Sequence, residues 1–126
     1  MEKFHIEGQE FVPEVYFDPD KDVLTISGAS YHEYTDEFFD PIFAWLEDYL
    51  TSPGRNVTFN FDMNYFNTAS SKCFYDMLEM MEDYVESGQG KVIVNWKFQQ
   101  DDIDMEESGK DFVESINLDF RLIPYE

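Results

Sequence analysis

Residues 56 to 86 change hydrophobic period once, abruptly. In "NVTFNFDMNYF" (56–66), Val57, Phe59, Phe61 and Met63 alternate with Thr58, Asn60, Asp62 and Asn64, the two-residue period of a strand with one buried face. After "NTAS", Phe74, Met77, Leu78, Met81 and Val85 recur at helical spacing, with Lys72, Asp76, Glu79 and Asp83 opposite them, until "ESGQG" stops the helix at Gly88. A strand that hands over directly to a long helix predicts a crossover unit, and crossovers imply parallel pairing.

The flanking segments extend this pattern. "EVYFD" (14–18) and "VLTISG" (23–28) are rich in β-branched and aromatic residues and are joined by the turn formers "PDKD", which predicts a hairpin. From Asp36 to Leu50, Phe39, Ile42, Phe43, Leu46, Tyr49 and Leu50 trace one stripe of an amphipathic helix. Pro41 leaves two starts open: Asp40 caps a helix beginning at Pro41, or the helix begins earlier and is bent there. "KVIVNWKFQ" (91–99) reads as a strand, 102–116 as a weaker helix interrupted near Gly109, and "LDFRLI" (118–123) as a final strand. The order is ββαβαβαβ, an α/β fold with a mixed, largely parallel sheet and helices packed on it. No repeat, linker or low-complexity tract divides residues 1–126, so one domain is expected.

Charge excludes several partners. Eight Lys and Arg against 28 Asp and Glu give a formal charge of −20, which repels nucleic acid and anionic membrane surfaces. The 43% hydrophobic content is nevertheless enough to build a core, so this acidity is not disorder. The first residues lack the apolar run of a signal peptide and no window has the length of a membrane span, so a cytoplasmic location is expected. The lone Cys73 falls within the helical pattern, where a small buried hydrophobe is the ordinary role and a reducing compartment fits.

Catalytic patterns are missing. Asp18, Asp20 and Asp22 have the spacing of a calcium loop, but Val23 stands at the position that needs Gly and Ala29 at the one that needs Glu, so a solvated hairpin turn is the better reading. "QDDIDMEE" (100–107) reads as acids at the positive end of a helix. There is no phosphate loop, paired-cysteine motif or nucleophile elbow, and His5 and His32 form no recognised pattern with Cys73. No metal, cofactor or enzymatic activity is expected.

The handover itself, "NTASS", holds Asn67, Thr68, Ser70 and Ser71. Asn and Thr are preferred helix caps, contributing about 1 kcal/mol. A helix start also favours an anion, and Lys72 follows one turn later, so a phosphate on Thr68 would find local compensation. The residues alone leave both roles open, and the two are compatible.

"YFNTASSKCFYDMLEMMED" resembles the SiaC family of bacterial regulatory phosphoproteins, in which Tyr-x-Asn-Thr ends a strand and a Ser and a basic residue follow at the helix start. Tyr65, Asn67, Thr68, Ser70, Lys72 and Asp76 match in register, and the length and element order are similar throughout. Ala69 stands where the family pattern has Ser, which removes one alternative acceptor. The resemblance implies a fold like that of anti-sigma factor antagonists (STAS-like domains) and a switch rather than an enzyme. It implies that Thr68 is phosphorylated by a dedicated Ser/Thr kinase and dephosphorylated by a metal-dependent Ser/Thr phosphatase, the unphosphorylated form binding and activating a diguanylate cyclase. Ser70 and Ser71 are the alternative acceptors. Tyr65, Phe66, Asn67, Ser70 and Lys72 are the expected partner contacts, with phosphate blocking docking by charge and desolvation cost. The alternative is a constitutive adaptor on the same fold that uses surplus aromatics as an interface.

Overall fold

The computed structural model describes residues 1–31 and 35–126; His32 lies outside them. Strands β1 (Phe4–Ile6), β2 (Glu14–Asp18) and β3 (Val23–Ser30) are followed by helix α1 (Thr35–Tyr49), then β4 (Asn56–Phe66), α2 (Thr68–Glu86), β5 (Lys91–Gln99), α3 (Ile103–Ser115) and β6 (Asp119–Tyr125). The six strands lie side by side in chain order, with β1, β2 and β3 antiparallel and β3 to β6 parallel.

Each parallel step is a strand–helix–strand crossover, and one handedness repeated along a sheet that grows in one direction puts every helix on the same face. The ring contacts agree. Phe17 meets Trp45 of α1, Phe61 meets Phe74 of α2, and Trp96 meets Phe112 of α3. The register aligns these side chains in rows across the sheet: Phe17, Leu24, Phe59, Val94 and Phe120 form one, and Ile26, Phe61, Trp96 and Leu122 the next. The opposite face carries a polar ladder, in which the Asn60 amide donates to Thr25 Oγ1 at 3.4 Å and that of Asn95 to Asn60 Oδ1 at 3.0 Å.

Two sequence expectations change, and one open choice is settled. The order gains a first strand, β1, whose three residues are too few to show a period and which exists because Phe4, His5 and Ile6 pair with Phe17, Tyr16 and Val15. Of the two starts open for α1, the structure takes the earlier, at Thr35, with Pro41 inside the helix. Gly109 does not interrupt α3. It is buried where the helix comes closest to the sheet, and a Cβ there would stand 2.6 Å from both Trp96 Cδ1 and Leu122 Cδ2. Only glycine allows that approach.

The turn at 18–22 is also more than a solvated loop. Asp18 Oδ1 accepts from the Asp20 and Lys21 amides, while Asp22, at φ +55°, takes the Arg55 guanidinium at 2.6 Å and the Tyr49 hydroxyl at 2.6 Å. Arg55 lies 4.0 Å over the Tyr49 ring. This cluster ties the hairpin to the end of α1 and the start of β4, at the end of the sheet remote from the "NTASS" seam.

Candidate functional site

The seam forms where β3 and β4 end together. Along β4 the alternation holds to Met63 and then reverses, because Gly28 faces Met63 while its neighbour Ala29 faces Tyr65, so Asn64 is an extra residue. Gly28 accommodates this at φ +100°, a conformation that side chains with a Cβ rarely adopt. Continued alternation would bury Tyr65 and expose Phe66. The extra residue does the reverse: Tyr65 projects outward, and Phe66 turns in against Phe74 and Trp96 at ring distances of 5.2 and 5.8 Å. Phe66 is thus half-buried, packed against the core.

The hydroxyls at the start of α2 divide their roles. Asn67 is the N-cap, its Oδ1 accepting from the Ser70 amide at 2.8 Å, and its own amide donates to the Ser30 carbonyl at 3.1 Å. Ser70 is fully buried, its hydroxyl 2.7 Å from that of Ser30. This corrects two expectations, since a side chain sealed beneath the first turn is neither an accessible acceptor nor a partner contact. Thr68 is the first helical residue and is exposed, and no hydrogen bond engages its hydroxyl among the described residues. Capping and locking are thereby done by its neighbours.

Lys72 lies one turn on from Thr68, exposed, with its ammonium 3.6 Å from Asp76. Spacings of four put Thr68, Lys72 and Asp76 in one line along α2. Between them Cys73 is half-buried, and its thiol is pushed above the usual range by burial and by Asp76, Asp36 and Asp40. His5 is far in the fold, beside Tyr16 and Glu14 on β2, and makes no contact with Cys73 among the described residues.

A groove of about 380 Å³ opens beside Thr68 between α2 and α3, lined by Phe66, Ser71, Lys72 and Tyr75 on one side and Ser108, Asp111, Phe112 and Ser115 on the other. Ser108 and Ser115 donate to carbonyls of their own helix. Ser71, half-buried in this wall, is less open than Thr68. The α3 wall and Ser30 escaped sequence reasoning because neither is near the seam in the chain. The short "AS" after Gly28 marks the end of β3 but says nothing of which helix it meets.

Comparison with known proteins agrees with this geometry. The model of the SiaC family of regulatory phosphoproteins matches residues 6–125. An uncharacterised protein of Pseudomonas aeruginosa (strain UCBPP-PA14) is 26% identical over 122 residues, covering 97% of this chain and 96% of the relative. The crystal structure of apo-SiaC from Pseudomonas aeruginosa superposes with a TM-score of 0.86 at 26% identity, covering 98% of this chain and 99% of that one. SiaC in complex with the diguanylate cyclase SiaD, of which it is the activator in the same organism, gives a TM-score of 0.91 at 25% identity over 97% of this chain and 99% of that one. With the family model spanning nearly its whole length, and the fold shared, the chain belongs to the SiaC family of regulatory phosphoproteins.

Proposed function

We propose that this protein is a non-enzymatic switch whose unphosphorylated form binds and activates a diguanylate cyclase, and whose release is controlled by phosphorylation of Thr68. A cognate Ser/Thr kinase adds the phosphate and a metal-dependent Ser/Thr phosphatase removes it. The protein works in the cytoplasm, and no helix among the described residues is long and apolar enough to cross a membrane. The diguanylate cyclase is proposed by likeness to the Pseudomonas aeruginosa pair.

The observation that carries the reading is the division of labour at the seam. Asn67 caps and Ser70 locks, and among the described residues no hydrogen bond engages the exposed Thr68 hydroxyl. A phosphate there adds nearly two charges to a protein already at −20, so the long-range field changes little. Its local effect is larger, because covering a dianion that one shared lysine only partly offsets costs several kcal/mol. Desolvation and size, more than charge, then block docking across Thr68, Tyr65 and Lys72. The same phosphate sits at the positive end of α2 within reach of Lys72, so it leaves the fold intact.

Protein purified from its native host, weighed intact before and after phosphatase treatment, should lose roughly 80 daltons. The host's diguanylate cyclase should bind and be stimulated by the Thr68→Ala variant and not by Thr68→Asp. Equal binding of both variants refutes the switch and leaves a constitutive adaptor.

A further inference from the structure

Three aromatic rings sit in the open around the ends of β3 and β4, from which α2 sets out. Phe11 is 59% exposed, Tyr31 44% and Tyr65 42%. They form one cluster: Tyr31 and Tyr65 stack with centroids 4.2 Å apart and planes 17° from parallel, and Phe11 stands edge-on to Tyr31 at 5.8 Å. The backbone holds them ready, since the Tyr31 amide donates to the Phe11 carbonyl at 2.9 Å and the Gln9 amide to the Val12 carbonyl at 3.0 Å. Keeping large rings exposed and fixed forgoes their burial energy, and such rigid clusters lose little entropy when covered. Tyr65 belongs to this cluster only because the extra residue in β4 turns it outward.

We infer that Phe11, Tyr31 and Tyr65 are a preformed platform that extends the Thr68 surface and receives a cationic side chain, arginine or lysine, of the protein partner. The inference rests on the proposed docking at Thr68 and names the chemistry of what docks. Charge complementarity selects the occupant. Glu10, next to Phe11, is exposed, the chain carries a formal charge of −20, and Lys72 on α2 is already matched by Asp76. A cation over an outer face of the tyrosine stack gains from both the ring quadrupole and the anionic surface, Glu10 included, whereas an acidic side chain meets only repulsion.

The test is calorimetric titration of the full chain with the host's diguanylate cyclase at about 0.1 M and about 0.5 M salt, where surface charge attraction is progressively screened. Four variants are compared: Phe11→Ala, Tyr31→Phe, Tyr31→Leu and Thr68→Asp, each checked for folding by circular dichroism. Wild-type affinity should fall with salt. Tyr31→Phe, which keeps a ring face, should bind within about 3-fold of wild type, and Tyr31→Leu and Phe11→Ala should each lose about 3- to 30-fold. Tyr31→Leu equal to Tyr31→Phe, or binding indifferent to salt, overturns the cationic platform. If Thr68→Asp abolishes binding while Phe11→Ala and Tyr31→Leu do not weaken it, the platform fails and the switch stands. If the platform variants lose binding but Thr68→Asp does not, the phosphorylation reading fails and the platform stands. A cyclase that does not bind the wild type overturns both.

Discussion

Replacing Asn67 and Thr68 separately by alanine distinguishes a helix cap from a switch residue one position away. Asn67 Oδ1 takes the Ser70 amide at 2.8 Å, and its loss leaves an orphan donor over a buried first turn, costing about 1 kcal/mol and at most about 2. Thr68 is exposed and makes no such bond among the described residues, so Thr68→Ala should stay within about 0.5 kcal/mol of wild type. With an unfolding entropy of about 2.1 cal/mol/K per residue over 126 residues, each kcal/mol moves Tm by about 4 °C. Asn67→Ala should therefore melt about 4 °C lower and Thr68→Ala within about 2 °C. Thr68→Asp adds an acid where the helix dipole welcomes one, worth about 0.3–1 kcal/mol, offset by self-repulsion in a strongly anionic chain, so its Tm should also stay near wild type. Scanning calorimetry reads all three, and cyclase binding is measured on the same samples. If Thr68→Ala destabilises as much as Asn67→Ala, the Thr68 hydroxyl has structural work and the argument for a dedicated switch collapses.

Three further perturbations probe the supports of the site. Ser70→Ala should cost about 1–3 kcal/mol by orphaning the buried Ser30 hydroxyl, and the Ser30→Ala/Ser70→Ala double variant should cost less than the sum of the singles in chemical denaturation; additive costs would dissolve the pairing. Gly109→Ala should destabilise by about 1–2 kcal/mol despite alanine's better helix propensity, because Trp96 is pinned by its indole bond to the Met105 carbonyl and cannot yield; an unchanged urea midpoint would refute that close approach. Burial and the bond to Asp22 hold the Tyr49 hydroxyl protonated well above its ordinary value of 10.0, and the bond to Asp62, with burial, pushes Tyr125 up to about 12. Both groups have a folded-state pKa above the unfolded one, so their stabilisation is complete below pH 10 and lost as pH rises beyond it. Melting temperature should fall in that alkaline range, less steeply for Tyr49→Phe; a flat profile would contradict the coupling.

Much of the architecture was legible because its causes are local. Val57, Phe59, Phe61 and Met63 alternate since one side of β4 meets apolar rings, and the helical spacing from Phe74 to Met81 reflects the same core seen from α2. The parallel order followed from strands separated by crossover helices. Gly109 misled because glycine weakens a helix in isolation, yet here it allows contact with Trp96. In "NTASS", Thr68, Ser70 and Ser71 share one hydroxyl chemistry, and nothing along the chain ranks their accessibility.

Sequence by itself determined that a strand ends and a helix begins around residue 67, that capping residues occupy that point, and that the chain carries a formal charge of −20. Only the tertiary structure decided which hydroxyl is sealed and which is presented. Ser70 disappears because Ser30, forty residues earlier, closes over it, and Tyr65 turns outward because pairing with β3 inserts an extra residue into β4. Periodicity records which side of an element is apolar, but register and contact order belong to the partner strand, and these are settled when distant segments pack together.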